Sequence, residues 1–392
     1  MTDHIQDVVL RESSPPARVH LPDAAAAEIA RMRIATVTPL GNQEWLLSSV
    51  EKVGVVRLGS VELRIEPKVP LHSLFFLLSR TLEWNNWREE EVTLDSVTDL
   101  YPAIAELFAR ASERVLRDGI LRSYREHRAA ESTVRGRWLV AEQLRRRHGL
   151  PLPAELAYDD FTSDIDENRM LRSAARRLLR LPNLAAPLRK RLYRIDAELA
   201  DAEVLTRGVP LPQPHFDRRN RRYRTALGFA RLILEDASLE RGLASITGSG
   251  FLLTMSSLFE RFIGAEIARA TASYGGTIQS QRRDYLDRDD LVLVKPDLVW
   301  LRDRTVAAVF DAKYKAEKPA GYPNADIYQM LAYCIRHGVS EGHLIYAAGN
   351  GTPQHIVTRQ SNVTIVCHAI ALDEPPAQIM RQIDKLVQQA VG

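Results

Sequence analysis

The chain has 392 residues, a formal net charge of +3 at pH 7, 45% hydrophobic residues and 26% charged residues. This length exceeds one ordinary hydrophobic core, and the composition is that of a soluble globular protein rather than a disordered one. No apolar run approaches the roughly 18 to 20 residues that span a bilayer, so we expect no membrane segment. Cys334 and Cys367 form no CxxC pair and the N-terminus has no signal-peptide pattern. We therefore expect a cytoplasmic protein without disulfides or a cysteine zinc site.

The first hundred residues carry the clearest β-strand signal. A lead-in to about Pro22 is flexible or forms a loosely docked strand, and a short helix capped by Asp23 is expected at 24–33. Three short runs of strand-type residues then follow: EWLLSSV (44–50), VGVVRLG (53–59) and VELRIEPKVP (61–70). The last run alternates apolar with charged residues, which is typical of a half-buried antiparallel strand, and the Gly-Ser before it predicts a hairpin turn. A β-rich domain over 1–100, with a helical segment reaching about Leu82, is the resulting prediction.

Helical periodicity dominates the middle of the chain. It runs from about Tyr101 to His148, and it returns in the segment 159–180, which starts with a cluster of capping-type residues and continues as a basic amphipathic helix. Further helices fit 191–205 and the stretch after GVPLPQPH. We therefore predict an α-helical middle domain over 101–245.

Arginines cluster at three places in this middle domain. They are Arg145, Arg146 and Arg147; Arg176, Arg177 and Arg180; and Arg218, Arg219, Arg221, Arg222 and Arg224. Such clusters either neutralise nucleic-acid phosphates or form solvated helix faces. The third cluster, RRNRRYR, is the densest and contains an aromatic residue, so both interpretations stay open there.

The last third alternates helices with strands. An apolar helix at 251–272 carries Glu260 and Glu266, and a series of strands follows, interrupted by a helix at 325–337 and closed by a final helix from about Pro376. This order predicts a third domain, of α/β type, over 246–392. The whole chain is thus expected to be an α+β multidomain protein.

The stretch LVLVKPDLVWLRDRTVAAVFDAKYK (291–315) combines two apolar runs with acidic and basic residues. If it forms a hairpin with Leu301 opposite Thr305, Asp297 lies opposite Val309. Directly opposed residues share a face, and side chains alternate along a strand.

Under this register Asp297, Asp311 and Lys313 project on one face, whereas a slip of one residue would scatter them. Two convergent carboxylates in an apolar sheet are costly unless a cation neutralises them. Mg²⁺, with Mn²⁺ as the alternative, suits two carboxylates and the Ala312 backbone carbonyl. Lys313 would orient or deprotonate a water, or stabilise the charge of a phosphate under attack. The competing interpretation is that these are ordinary charges at strand ends.

The helix after the hairpin carries Gln329 and Tyr333, which are four residues apart and share a face. With this helix the stretch resembles the PD-(D/E)xK nuclease superfamily, in particular its RecB-like branch with a Q-xxx-Y helix. The resemblance implies a restriction-endonuclease-like C-terminal domain in which Asp297, Asp311 and Lys313 form the catalytic core.

Motifs spread over about residues 50 to 335 resemble one family, McrC. They are VGVVRLGSVELRIEPKVP (53–70), RGRW (135–138), DENR (166–169), LFERF (258–262), KPDLVW (295–300), DAKYK (311–315) and DIYQMLAY (326–333). This resemblance implies the nuclease subunit of the McrBC restriction system, which cleaves double-stranded DNA with Mg²⁺. It also implies that the N-terminal part docks on a hexameric AAA+ GTPase, McrB, which recognises methylated cytosine and translocates DNA. No GxxxxGK[ST] phosphate loop exists in this chain, which agrees with a nucleotide-driven step in another protein.

By motif position, the resemblance implies that Glu260 is the helix acid that completes or braces the metal site. Glu266 is the fallback if Glu260 is only a solvated helix charge. Gln329 and Tyr333 would support the site or contact the DNA backbone, although Tyr333 also fits a purely packing role.

Two other functions stay open. One is a catalytically vestigial regulatory subunit that only stimulates an NTPase; the intact Asp297, Asp311 and Lys313 set argues against it. The other is a free-standing RecB-like nuclease, which would cut DNA without an NTPase.

Overall fold

The computed structural model divides the chain into two compact units. Unit 1 contains 1–100, 246–248 and 252–392, and unit 2 contains 101–245 and 249–251. The structure describes residues 5–81, 100–148, 150–181, 184–206, 209–235, 249–314, 323–347, 353–359 and 361–391. The chain passes from unit 1 to unit 2 after residue 100, and both outer segments contribute to unit 1. The division into three domains stays a prediction.

A four-stranded sheet in unit 1 contains the predicted hairpin. Its strands are β1 (Gln6–Arg11), β5 (Lys52–Leu58), β6 (Val61–Glu66) and β10 (Ser249–Thr254), in the order β1-β6-β5-β10; β10 belongs to unit 1 from Leu252 onward. Leu58 lies opposite Val61, so the two-residue turn between β5 and β6 is confirmed. β1 pairs in parallel with all of β6, so the N-terminus contributes a docked strand rather than a flexible lead-in. The predicted alternation of buried and exposed positions holds only in part, because Glu62 is also buried, with 3% exposure.

The rest of the N-terminal region is a smaller sheet and two helices. Their bounds are β2 (Ala17–His20), α1 (Asp23–Arg31), β3 (Thr36–Gly41), β4 (Glu44–Ser48) and α2 (Leu71–Thr81), with strand order β2-β4-β3. Pro22, not Asp23, holds the cap position of α1, and no side chain caps that helix. The Asp23 carboxylate lies in the first turn, where the helix dipole favours it. The predicted helix to about Leu82 corresponds to α2, while Leu82 itself lies outside the described residues.

A six-stranded mixed sheet forms the other part of unit 1. Its strands are β11 (Thr277–Ser280), β14 (Leu298–Arg302), β15 (Thr305–Lys313), β16 (Glu341–Tyr346), β17 (Gln354–Val357) and β18 (Thr364–Ala369), in the order β11-β14-β15-β16-β18-β17. β15, β16 and β18 are parallel neighbours, and the strands outside them pair antiparallel. A short ribbon of β12 (Asp284–Tyr285) and β13 (Leu293–Val294) precedes β14.

Helices cover both faces of this sheet. They are α8 (Met255–Thr271), α9 (Asn324–His337) and α10 (Pro376–Val391). From α9, Met330 and Tyr333 enter one buried cluster with Val299 and Val309. On the opposite face, α8 approaches so closely that a Cβ at Gly264 would meet the side chain of Leu298. The predicted helix from residue 251 begins only at Met255, because the preceding residues form β10.

Unit 2 contains helices and a sheet that the helical prediction missed. Its elements are α3 (Leu100–Arg117), β7 (Ser123–Glu131), β8 (Arg137–Trp138), α4 (Val140–Arg147), β9 (Ala154–Thr162), α5 (Asp166–Leu178), α6 (Ala186–Glu198) and α7 (Arg224–Glu235). β7 pairs antiparallel with β9 over nine residues, from Ser123 opposite Thr162 to Glu131 opposite Ala154. The prediction of helix through His148 was wrong because β7 is largely exposed and has no apolar period. Its Arg, Glu and Ala residues favour a helix locally, and pairing with a strand about 30 residues away decides otherwise.

Several of the clustered arginines make contacts inside unit 2. Arg147 pairs with Glu155 at 3.3 Å, and Arg176 pairs with Asp196 at 3.4 Å. Arg222 donates to the backbone carbonyls of the turn that follows α3. These contacts favour a structural interpretation for those arginines. None of the described helices combines the length and apolar composition needed to cross a membrane.

Candidate active site

Asp297 and Asp311 lie side by side at one end of the six-stranded sheet. β14 pairs with β15 so that Leu298 lies opposite Phe310, and continuing this register by one residue sets Asp297 opposite Asp311. Opposed residues share a face, and Lys313 follows two residues later on the same strand. The predicted grouping of these three side chains on one face therefore corresponds to the observed pairing.

The predicted register itself was wrong. Arg302, not Leu301, lies opposite Thr305, because the turn has only two residues, both with positive φ. That turn alone would put the two aspartates on opposite faces. A bulge at Ala307, where the register shifts, adds one residue and restores the shared face. The observed pairing thus differs from the predicted one by two residues, which leaves side-chain direction unchanged.

The Asp297 carboxylate is fixed by donors on both of its oxygens. The backbone N–H of Ala312 donates to Oδ2 at 2.9 Å, and the side-chain amide of Gln281 donates to Oδ1 at 2.8 Å. Asp297 immediately precedes β14, one residue beyond the last ladder pair of β14 with β15. Its side chain therefore accepts the hydrogen bond of a β15 backbone N–H that no longer has a partner in the ladder.

Lys313 connects the acidic pair to helix α9. Its ammonium forms an ion pair with the Asp311 carboxylate and donates a hydrogen bond to Oε1 of Gln329 at 2.9 Å. Tyr333, one turn further along α9, is 4% exposed and donates to the backbone carbonyl of Lys295 at 3.2 Å. Gln329 therefore contacts the lysine, whereas Tyr333 contacts the backbone just before Asp297.

The two glutamates of α8 have different surroundings. Burial, followed by the charges of Asp297 and Asp311, raises the pKa of Glu260 to about 7. The Glu260 carboxylate therefore interacts electrostatically with both aspartates. Glu266 is 2% exposed and binds the guanidinium groups of Arg80 and Arg269, so it serves as a buried ion-pair partner.

The acidic pair has the oxygen donors that a hard cation requires. Burial, and then the charge of Asp297, raises the pKa of Asp311 to about 6. Asp311 Oδ2 is buried, and it forms an ion pair with the Lys313 ammonium. A divalent cation would offset the repulsion between the Asp297 and Asp311 carboxylates.

The donor set is small. Within the described ranges, no three His, Cys, Asp or Glu side chains are close enough to bind one metal ion together. Two aspartates fit Mg²⁺, which keeps several waters and needs only one or two protein carboxylates. Direct ligation by Glu260 and by the Ala312 carbonyl stays a prediction.

Three contacts around this centre were not foreseen from the sequence. Gln281 holds Asp297, as described above. Asp326, buried at the start of α9, accepts a hydrogen bond from Tyr346 at 2.8 Å, and its charge also raises the pKa of Asp311. Tyr314, which follows Lys313, donates to the buried carboxylate of Glu12 at 3.1 Å. Asp326 and Tyr314 had a local signal, since Asp326 opens the DIYQMLAY motif and Tyr314 belongs to the DAKYK motif.

The fold and the site together define a mixed α/β unit with a carboxylate–lysine centre at the end of its sheet. The sequence matches the family model described as "McrBC 5-methylcytosine restriction system component" over residues 47–347. The chain belongs to this family. No curated protein sequence matches it significantly.

Two solved structures from Thermococcus gammatolerans are similar to the chain. One is described as a half-complex from a tetradecameric assembly of McrB AAA+ hexamers with bound McrC; the matched chain is 18% identical, with a TM-score of 0.59 over 98% of this chain and all of that one. The other is a McrBC complex, with 20% identity and a TM-score of 0.40 over 69% of this chain and 90% of that one. At these identities the first likeness concerns the fold alone.

Proposed function

We propose that this chain is the Mg²⁺-dependent DNA endonuclease subunit of a restriction complex directed against methylated cytosine. The observation that carries the proposal is the grouping of Asp297, Asp311 and Lys313 on one face at the end of β14 and β15. This is the arrangement expected of a PD-(D/E)xK nuclease, and membership of the McrBC family supports it.

The roles of the side chains follow from their contacts. Asp297 and Asp311 supply carboxylate oxygens for the metal, with Glu260 nearby to complete or brace the set. Lys313, held between Asp311 and Gln329, puts a positive charge where negative charge develops on the phosphate. Tyr333 is buried, so it braces the segment before Asp297 rather than contacting DNA. When bound, Mg²⁺ polarises a phosphate oxygen and lowers the pKa of a coordinated water.

We further propose that another protein chooses where the cut is made. The sequence has no phosphate loop of its own, and the fold is similar to that of a chain from an assembly of McrB AAA+ hexamers with bound McrC. A McrB-like AAA+ GTPase hexamer would recognise modified cytosine and translocate DNA. The β-rich region around 53–70 is the predicted docking element.

Conservative substitutions at the centre test the nuclease assignment. Asp311→Asn should reduce Mg²⁺-dependent cleavage of methylated DNA below detection, because a metal ligand loses its charge. Lys313→Met should reduce the cleavage rate by roughly 10²- to 10³-fold, as expected when a group that stabilises developing charge is lost. Cleavage is measured with the partner GTPase present, together with GTP hydrolysis.

Asp303→Asn is the matched control. Asp303 lies in the exposed turn of the same hairpin, with φ of 50°, a conformation that Asn also tolerates. This variant should cleave like the wild type. Wild-type cleavage by both Asp311→Asn and Lys313→Met would contradict the assignment.

The same assays separate the two remaining functions. A wild-type chain that stimulates GTP hydrolysis without cutting DNA would be a vestigial regulatory subunit. A wild-type chain that cuts equally well without any NTPase would be a free-standing nuclease.

A further inference from the structure

Gln281 has a backbone conformation that is unfavourable for a residue with a side chain. It follows β11 directly, and its φ is 52°, in the left-handed region that favours glycine. Non-glycine residues in this region are uncommon, Asn and Asp tolerate it better than Gln, and such strain clusters at functional sites. The sequence therefore retains a long amide side chain at a position where glycine would be easier to accommodate.

The contacts of Gln281 are directed at one residue. Its backbone N–H donates to the Asp297 carbonyl at 2.8 Å, which continues the β11–β14 ladder by one pair. Its side-chain amide donates to Asp297 Oδ1 at 2.8 Å. Gln281, Asp297 and Asp311 thus follow one another across three adjacent strands at the same level of the sheet.

The side-chain bond has a defined consequence for the carboxylate. The Ala312 N–H alone would leave Asp297 free to rotate about that single contact, whereas donors on both oxygens fix the carboxylate plane. Each oxygen still has a lone pair available for a cation. Because Gln281 is an amide and not a cation, it orients Asp297 without neutralising the charge that a metal requires.

We infer that Gln281 is a positioning residue that holds Asp297 in the orientation needed to bind the metal. This inference rests on the proposed nuclease function, and it adds a residue outside the PD…DAK set. Among the described residues, the Gln281 amide is the hydrogen-bond donor to Asp297 Oδ1, and the Ala312 N–H is the donor to Oδ2.

Replacement of Gln281 by glycine distinguishes the effect of its side chain from the effect of its backbone. Gln281→Gly keeps the backbone N–H bond to Asp297, relieves the left-handed strain and removes only the amide. We expect its urea unfolding midpoint to equal or exceed that of the wild type. We expect Mg²⁺ affinity, measured by calorimetry without DNA, to fall by roughly 10- to 100-fold, and cleavage to fall in the same range.

A second variant and a control guard against misinterpretation. Gln281→Glu is nearly isosteric and turns the donor into an acceptor, so it should weaken Mg²⁺ binding or cleavage even if the glycine variant folds poorly. Arg33→Gly is the matched control, since Arg33 is exposed and has φ of 50° in unit 1. It should leave Mg²⁺ binding and cleavage at wild-type values.

The outcomes distinguish this inference from the proposed function. Wild-type Mg²⁺ affinity and cleavage in both Gln281 variants would overturn the positioning role while leaving the nuclease assignment intact. A wild-type chain that never cleaves would overturn the nuclease assignment, and the calorimetric comparison would still decide whether Gln281 affects metal binding. A glycine variant that is less stable than the wild type, with unchanged Mg²⁺ affinity, would mean that Gln281 serves the fold alone.

Discussion

Two histidines buried in the six-stranded sheet are expected to make the stability of unit 1 sensitive to acid. His343 on β16 and His368 on β18 are 1% and 3% exposed, and their ring nitrogens Nδ1 and Nε2 are 3.1 Å apart. His343 also stacks on Phe310, and its other nitrogen is 3.6 Å from Glu341. Burial first, and then mutual repulsion with other histidines, lowers the pKa of His343 to about 3; burial lowers that of His368 to about 4. Both rings are therefore neutral in the folded protein near pH 7.

The unfolded chain takes up protons on these histidines near pH 6.5, whereas the folded chain does so only near pH 3 to 4. Their contribution to stability is thus present above pH 6.5 and is lost as the pH falls toward 4. Over this range each histidine lowers the free energy of unfolding by about 1.4 kcal/mol for each pH unit of acidification. His343→Gln should remove one such slope, as measured by urea unfolding at pH 7 and at pH 5.

The control for this prediction is His72→Gln, at an exposed position in α2. It should show the wild-type dependence of unfolding free energy on pH. If the unfolding free energy of His343→Gln depends on pH in the same way as that of the wild type and of His72→Gln, the buried pair is not the source of the acid sensitivity.

Among the elements, the β14–β15 hairpin determines whether the two aspartates meet. The two-residue turn and the Ala307 bulge each change the register by one residue, and only their combination returns Asp297 and Asp311 to the same face. The bulge is therefore a requirement of the site and not an irregularity of the strand.

Deleting Ala307 tests this requirement. The deletion removes the extra residue, so either the aspartates separate to opposite faces or buried residues such as Val309 and Phe310 exchange faces and lose their packing partners. We expect loss of cleavage and a lower thermal unfolding temperature, measured by calorimetry. Ala307→Ser, at the same exposed position, should change the stability by less than about 0.5 kcal/mol. A deletion variant with wild-type cleavage would show that the register is not essential.

A second element-level contact ties the end of β15 to the N-terminal sheet. The Glu12 carboxylate is 2% exposed and accepts hydrogen bonds from the Tyr314 hydroxyl and from the Lys68 backbone N–H, both at 3.1 Å. The Lys68 ammonium lies 4.0 Å from the centre of the Tyr314 ring. Burial raises the pKa of Glu12 despite these contacts.

Tyr314→Phe removes the hydroxyl and keeps the ring. Because Glu12 then loses one buried donor, the free energy of unfolding should fall by about 1 to 2 kcal/mol, as measured by urea denaturation. Tyr328→Phe, on an exposed part of α9, is the control and should leave the stability unchanged. Equal stability of the two variants would mean that water replaces the lost donor at Glu12.

At the scale of the whole molecule, unit 2 is an insertion within unit 1. The chain leaves unit 1 after residue 100 and returns to it near residue 246, so the N-terminal sheet and the sheet bearing the candidate site belong to one compact unit. The contact between Glu12 and Tyr314 is one link within that unit.

If the proposed division of labour is correct, cleavage and stimulation of the partner are separable. Asp311→Asn should stimulate GTP hydrolysis by a McrB-like partner to the wild-type extent, because the substitution changes only the metal site. GTP turnover with increasing amounts of each chain measures this. A variant that folds like the wild type but fails to stimulate would couple the catalytic centre to partner activation.

Patterns within short stretches predicted much of unit 1. Alternation of apolar and charged residues predicted the β5–β6 hairpin, and the four-residue spacing predicted that Gln329 and Tyr333 share the helix face that contacts the candidate site. The β7–β9 ladder was missed because its residues carry no apolar period and its partner strand lies about 30 residues away. Motif position favoured Glu260 over Glu266, but the pairing of Glu266 with Arg80, 186 residues distant, could not be read from the sequence.

The sequence by itself determined which residues form the candidate centre and the family to which the chain belongs, because motif residues and strand alternation are local properties. Only the tertiary structure decided how those residues meet. The bulge at Ala307, the strained Gln281 that holds Asp297, and the contact between Glu12 and Tyr314 depend on pairing between distant segments. Such pairing is decided by burial and by hydrogen-bond satisfaction across the whole unit, and no single stretch of sequence specifies it.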